Sequence, residues 1–408
     1  MPLLATRPLW AGGSSCVSQP LLRGETRAFV GVGTDVLVVS DLRGNDSHGV
    51  SNMLRMYMEN FIKVKAGLSA HRYGSNSQPK FKVVRDSPAA AVVDADGALG
   101  IHVGPFAMRM AVEKAKALGV GTVVVRNAGH FGAIGYFTDL AAREGCLGQV
   151  MLGGLGGAMV PVHGQEKKFS TNPVAWSAPA NTETPFRLDI ATTQVAANKV
   201  ELARRMGAKL YPNVIAKDDG TPISEEVLPP AGRQTEGVNM LPFGGTREGG
   251  AHKGFGLAMV GDLWANALGV NKQDTADAAG RVSSGGAGIF CAWNIEAFTD
   301  REDYDRAADG LLHDIRTSKP AAGHDRVLYP GLGGAEVTTK RKADGIPYHP
   351  EVIVWFHRAA AELGAEVQAA VAQFPEYAHK CTPAEEAAWR REPVFVTSAE
   401  EKAMTPKL

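Results

Sequence analysis

The residues best suited to chemistry lie in Arg43-Gly44-Asn45-Asp46-Ser47-His48-Gly49-Val50, a stretch that continues to Arg55 and Tyr57. An imidazole such as His48 gives or takes a proton near neutral pH. Ser47 can hydrogen-bond a substrate hydroxyl or the ring, and Arg55 can grip a carboxylate through two parallel bonds. A second imidazole, His130, sits in Asn127-Ala128-Gly129-His130-Phe131-Gly132-Ala133-Ile134-Gly135. Asp189 ends an apolar stretch in Leu188-Asp189-Ile190-Ala191-Thr192-Thr193, with Asn198-Lys199 closing the following turn. A carboxylate there either caps a helix or holds a histidine in its working tautomer. Lys253, in Ala251-His252-Lys253-Gly254-Phe255-Gly256-Leu257, opens a buried helix; a cation there opposes the helix dipole and implies an anionic partner or ligand.

The elements that position these groups read as α/β. Residues 36–40 form a short apolar run leading into the His48 stretch. Residues 81–84 and 90–94 read as strands joined by Asp86-Ser87-Pro88. Residues 104–118 carry apolar side chains at helical spacing and end at Gly119, a C-cap. A β-α-β unit follows: strand 121–126, the glycine-rich turn, helix 136–143 and strand 147–152. His130 falls at the carboxyl end of its strand, where α/β proteins place ligands. The turn opens a helix whose free N–H groups can face an anion, but it is not G-x-G-x-x-G. Asp218-Asp219-Gly220-Thr221 reads as a turn, without the ligand spacing of a calcium loop. Later come a strand at 285–294, a helix at 304–318, a glycine-rich loop from Tyr329-Pro330-Gly331, a basic stretch at 337–342 and a long amphipathic helix or helix pair at 350–374.

Composition excludes several classes. Lys plus Arg equals Asp plus Glu at 43 each, so no net charge advertises nucleic acid or a membrane surface. No apolar run reaches the roughly 18 residues a bilayer requires. The four cysteines are scattered without a C-x-x-C pair, which argues against a zinc ribbon or disulfide scaffold and for a reducing compartment, the cytoplasm. No metal is suggested by ligand spacing. Residues 1–27, with three arginines against Glu25, read as an atypical, disordered extension or a wrongly assigned start; the competing reading is a transit peptide, which would direct the chain to the mitochondrion.

Taken together, seven stretches in order make the chain resemble the malate/L-lactate dehydrogenase family of the non-Rossmann type, which includes ureidoglycolate and sulfolactate dehydrogenases and diketogulonate reductase. They are Asp46-Ser47-His48-Gly49-Val50, His130-Phe131-Gly132-Ala133, Thr171-Asn172-Pro173, Leu188 to Thr193 with Lys199, Leu241-Pro242-Phe243-Gly244-Gly245, Lys253 to Leu257, and Tyr329-Pro330-Gly331 running to Gly345-Ile346. The resemblance implies a mixed, largely antiparallel cofactor-binding sheet, a homodimer, and an NAD- or NADP-dependent oxidation of a 2-hydroxy acid or reduction of the 2-oxo acid. By carry-over, His48 is the acid/base with Asp189 as its carboxylate partner and Ser47 in support, and His130 a further proton-transfer position. Cofactor contacts would fall on His130, Phe131, Gly132, Thr171, Asn172, Pro173, Asp189, Ile190, Ala191, Lys253 and Gly254.

The expected organisation is the extension 1–27, a helical, dimerisation and substrate region formed by 28–110 with 300–375, an NAD(P)-binding domain at 111–299 and a tail at 376–408. Three departures from the family's pattern stand out. Asn52 replaces an arginine common four residues after the motif histidine, leaving the clamp to Arg55; Leu152-Gly153-Gly154 stands where Thr-Asn-Ser is common; and the N-terminal helical region looks shortened. The competing functions are a catalytically inactive nucleotide-binding relative and, lacking a G-x-S-x-G elbow, a Ser47/His48 hydrolase.

Overall fold

The computed structural model describes residues 26–50, 52–54, 56–58, 76, 78–231, 237–270, 285–348, 352 and 355. Positions 1–25, Arg55, the tail 376–408 and nearly all of the expected helix 350–374 lie outside the described residues. In chain order the helices are α1 (Thr26–Leu42), α2 (Gly100–Leu118), α3 (Gly135–Arg143), α4 (Ala197–Met206), α5 (Ala251–Gly261), α6 (Arg301–Thr317) and α7 (Leu332–Asp344). The strands are β1 (Lys82–Asp86), β2 (Ala90–Asp94), β3 (Val120–Ala128), β4 (Cys146–Gly153), β5 (Leu155–Met159), β6 (Val174–Ala178), β7 (Phe186–Ile190), β8 (Ile215–Ala216), β9 (Asn239–Met240) and β10 (Gly286–Asn294).

Seven strands form one mixed sheet in the order β1-β2-β3-β10-β4-β6-β7. Only β2 and β3 pair in parallel; every other neighbour is antiparallel. The β-α-β unit is present, but β10 inserts between β3 and β4 and runs against both. No sequence period announces such an insertion, because β10 arrives over a hundred residues later. The sheet is therefore not a Rossmann sheet. It also crosses the expected boundary at residue 110, since β1 and β2 hydrogen-bond into it.

The valine-rich β3 shows why the centre of the sheet is apolar throughout. Val123 and Val125 face a core shared with Met108, Ala111, Phe137 and Phe290, whereas Val124 faces the opposite core with Met151, Val174, Ile289 and Val260. Strands covered on both faces need no polar alternation. Each fully buried large side chain contributes about 1.5–3 kcal/mol; Met108, Ile134, Phe137 and Phe290 are all completely inaccessible. Helix α2 ends where expected, at Gly119 (φ +90°), whose N–H bonds Ala115.

Two expectations at the chain's flanks change. The 36–40 run is part of α1, a 17-residue helix, so the N-terminal helical region is longer than its apolar run suggested. The glycine-rich stretch after Tyr329 is not a loop: α7 starts at Leu332, with Gly331 (φ +106°) just before it and the basic 337–342 stretch inside it.

Candidate active site

His48 closes a single 3-10 turn, Asp46–His48, that follows the end of α1. The turn is clamped from three directions. Behind it, the fully buried Asp41 carboxylate accepts the Val50 N–H and the Tyr348 hydroxyl, each at 2.8 Å. From α7, Arg341 bonds the Asp46 carboxylate and the Asp41 carbonyl. From α4, Asn198 Nδ2 donates to the Ser47 carbonyl at 2.8 Å. Glycine at 49 is a steric requirement, since a Cβ there would sit 1.6 Å from Asp41 Oδ1. Desolvation pushes Asp41 up to about 6, against the pull of its two hydrogen bonds and Arg341.

The two histidines come together. Their rings stack with centroids 5.7 Å apart and planes 20° off parallel. His130 Nδ1 accepts the Gly132 N–H at 3.2 Å and meets the Tyr57 hydroxyl at 2.7 Å. A neutral ring accepting at Nδ1 carries its proton on Nε2. His48 is set the other way. The Ser47 hydroxyl donates to Asn45 Oδ1 at 3.1 Å, so at its 2.9 Å contact with His48 Nδ1 it accepts, and the His48 proton sits on Nδ1. His48 Nε2 is left with a free lone pair. Burial lowers His48 to about 4, helped by the nearby Lys199 charge, and burial lowers His130 to about 3, helped by His48. Both rings are neutral at pH 7.

Asp189 is not with them. Its carboxylate accepts the Gly135 N–H at 2.7 Å, at the start of α3. It was expected as the carboxylate partner of His48; the hydrogen bond it makes among the described residues is instead to the backbone of α3. The anion foreseen at this helix start is the protein's own carboxylate. Burial pushes Asp189 up to about 6, opposed by the Gly135 bond and Arg43. Beside it, Arg43 and Arg187 reach Asp139 at 3.1 and 2.8 Å. Arg43, Arg187, Asp189 and Asn45 line a recess of about 240 Å³ that His48 does not border.

The expected dinucleotide contacts divide into surface and interior. Hydrogen bonds from Thr192 N to the Thr171 carbonyl, Phe243 N to the Thr192 carbonyl, and Gly244 N to Gln194 Oε1 knit loops 171–173, 190–194 and 241–245 together. Thr171, Ile190, Ala191 and Lys253 keep accessible surface there, and Lys253 is exposed. Among the described residues it makes no ion pair that would answer the helix dipole it opposes. Phe131 and Asn172, expected among the cofactor contacts, have buried side chains. Phe131 is 2% exposed and packs on Phe137 and Phe290. Asn172 is 1% exposed and donates to the Ala258 carbonyl and Asp262. Its Oδ1, however, is buried without a partner, a free acceptor beside Gly154. Gly254 packs its backbone on Phe243. At the head of α5, Pro242, Gly245, Thr246, Arg247 and Ala251 border a second recess of about 370 Å³. An exposed lysine at the start of α5, beside the loops 190–194 and 241–245, is the chemistry that the phosphates of a dinucleotide would use.

The Gly153-Gly154 departure has a packing cause. A Cβ on Gly153 would lie 2.7 Å from Asn266 Nδ2 and 2.9 Å from the Gly261 carbonyl, because the π-helical turn Asp262–Ala267 presses on the end of β4. Asp218-Asp219-Gly220-Thr221 is the expected turn, with Asp219 accepting the Thr221 N–H. No group of three potential metal ligands occurs among the described residues.

The model of the malate/L-lactate dehydrogenase family matches residues 26–355. The chain belongs to that family. Membership agrees with the mixed sheet and with every motif that led to the resemblance. Among relatives, the L-sulfolactate dehydrogenase of Methanocaldococcus jannaschii is 35% identical over 82% of this chain and 90% of its own length. Its solved structure superposes with a TM-score of 0.68 at 32% identity, covering 85% of this chain and 96% of that one. The malate dehydrogenase structure from Pyrococcus horikoshii gives a TM-score of 0.70 at 28% identity, over 85% and 91% of the two chains. The family's hydroxy acid dehydrogenases thus share this fold along nearly their whole length. Sequence reasoning passed over Asp41, Arg341 and Tyr348 as supports of the site and read Asn198 only as closing a turn. Asp41, an acid just past the apolar run 36–40, carried the one local signal.

Proposed function

We propose that the protein is an NAD- or NADP-dependent oxidoreductase that interconverts a 2-hydroxy acid and its 2-oxo acid. The observation that carries this reading is the opposed protonation of two stacked imidazoles: His48 offers a lone pair at Nε2 while His130 offers an N–H at Nε2. In this reading a substrate oxygen at the edge of the stack meets a base in one ring and a hydrogen-bond donor in the other. In the oxidative direction, His48 Nε2 takes the hydroxyl proton and His130 Nε2–H steadies the oxygen as it becomes a carbonyl. In reverse, His48 returns the proton. Ser47 and Tyr57 fix the two tautomers, and Asn45 fixes Ser47. A nicotinamide, when bound, supplies the hydride acceptor or donor. In this reading Thr171, Ile190, Ala191 and Lys253 are the surface groups that hold the dinucleotide.

Asp189 serves this reading as a positioning residue, anchoring the start of α3 and so the loop that carries His130. Malate, lactate and sulfolactate share the hydroxy-acid handle, and the relatives' names span malate and sulfolactate. The test is His48→Ala with the preferred oxo acid. Turnover falls by about 100- to 10,000-fold while cofactor affinity holds; undiminished turnover would overturn the assignment.

A further inference from the structure

Lys199 is the third residue of α4, where a cation opposes the helix dipole. Local physics gives no reason to put it there. It bonds no acid among the described residues; the nearby Glu201 pairs with Arg204 instead. Its neighbour Asn198 donates to the Ser47 carbonyl at 2.8 Å and contacts Met53 Sδ at 3.8 Å, so the first turn of α4 is fastened to the turn that carries His48. Ala196, before α4, provides no side-chain cap. Among the described residues, the arginines near the same turn are engaged: Arg43 and Arg187 hold Asp139, and Arg341 holds Asp46. Lys199 is exposed, within reach of an incoming anion.

We propose that Lys199 receives the substrate's carboxylate, beside the two imidazoles, and sets the preference for acids over their neutral analogues. The inference rests on the 2-hydroxy acid reading. Two neutral imidazoles carry no charge to meet a carboxylate, and a cation at the edge of a partly desolvated site supplies it. The ion pair has a second effect. Charged or titratable groups facing His48 are Lys199 from α4 and His130 from the loop after β3, with Tyr57 behind His130. Burial first, and Lys199 second, hold His48 in its neutral form; an anion bound against Lys199 cancels the second influence and makes His48 a stronger base once substrate is in place.

The test compares the full-length protein with Lys199→Ala and Lys199→Arg. Oxamate, a non-reacting analogue of a 2-oxo acid, is titrated by calorimetry with NADH or NADPH present. In parallel, kcat/KM is measured for pyruvate or malate's oxo acid and for the corresponding methyl ester. Lys199→Ala weakens oxamate roughly 10- to 150-fold and costs the acid a similar factor in kcat/KM, while the ester changes less than about threefold. Lys199→Arg restores most of both. A merely structural lysine would affect acid and ester alike. Unchanged oxamate affinity in Lys199→Ala, or no oxamate binding to either protein, overturns the inference. Lys199-dependent oxamate binding without nicotinamide turnover would support Lys199 as the carboxylate receiver and remove the dehydrogenase reading instead.

Discussion

His48 and His130 stack at 5.7 Å with opposite Nδ1 roles: one donates to Ser47, the other accepts from Tyr57. Tyr57→Phe removes a donor from His130 but leaves the Gly132 N–H in place. Turnover is expected to drop roughly 5- to 30-fold, about one hydrogen bond's worth, with cofactor affinity unchanged. Steady-state kinetics alongside cofactor fluorescence titration checks this. A Tyr57→Phe enzyme with wild-type kinetics would mean that the Gly132 N–H alone suffices to hold His130 and that Tyr57 has no part in the reaction.

The buried imidazoles make a pH prediction. Folded-state values near 4 and 3, below the ordinary 6.5, mean that both rings stay neutral from pH 8 down to about 5. Their imidazole NMR signals should not titrate in that window, unlike those of exposed histidines. The same shift means that stability from these rings is complete above pH 6.5 and is lost as pH falls towards 4, because the unfolded chain takes up protons first. A His48 signal titrating near 6.5 would contradict the burial argument.

Asp189→Asn separates an anchor from a charge partner. Burial raises Asp189 to about 6 against 3.8, so the folded state is penalised for its charge at neutral pH and relieved as pH falls through 6 to 3.8. Asparagine keeps an acceptor for the Gly135 N–H without that charge. The variant is expected to be as stable as the parent or more so at pH 7, by about 1–3 kcal/mol, with the gain vanishing near pH 4. It should also leave the titration of His48 where it was. A shifted His48 would restore the paired arrangement expected from the motif.

Gly49→Ala tests the clamp behind the catalytic turn. With its Cβ placed 1.6 Å from Asp41 Oδ1, the buried carboxylate or the turn must move. Denaturation is expected to show a loss of at least about 2 kcal/mol together with most of the activity. Wild-type stability would show that the Asp41 packing is soft.

The legible part of this protein was local. Glycines and continuous apolar runs mark β2, β3, β4, α2 and α3 in the sequence, and the motifs pick out His48 and His130. Their proximity is not legible from spacing, because 81 residues, among them β1, β2, α2 and β3, separate the two histidines along the chain. The Asp189 pairing misled for a related reason. A carboxylate at a strand end has two uses, and only tertiary packing decides that the nearest donor is the start of α3. Helix α7 was hidden by its glycines, which lower helix propensity, yet it forms because Leu332 is buried with Leu312 and Tyr329 and because Arg341 reaches Asp46.

The most direct test of the central claim is the reduced-nicotinamide absorbance of purified protein with a panel of 2-oxo acids, NADH and NADPH being run in parallel. The account predicts loss of absorbance with at least one acid and one cofactor, abolished by His48→Ala. Silence across the panel, with cofactor binding shown separately, would contradict it and make the chain a nucleotide-binding member of the family without turnover.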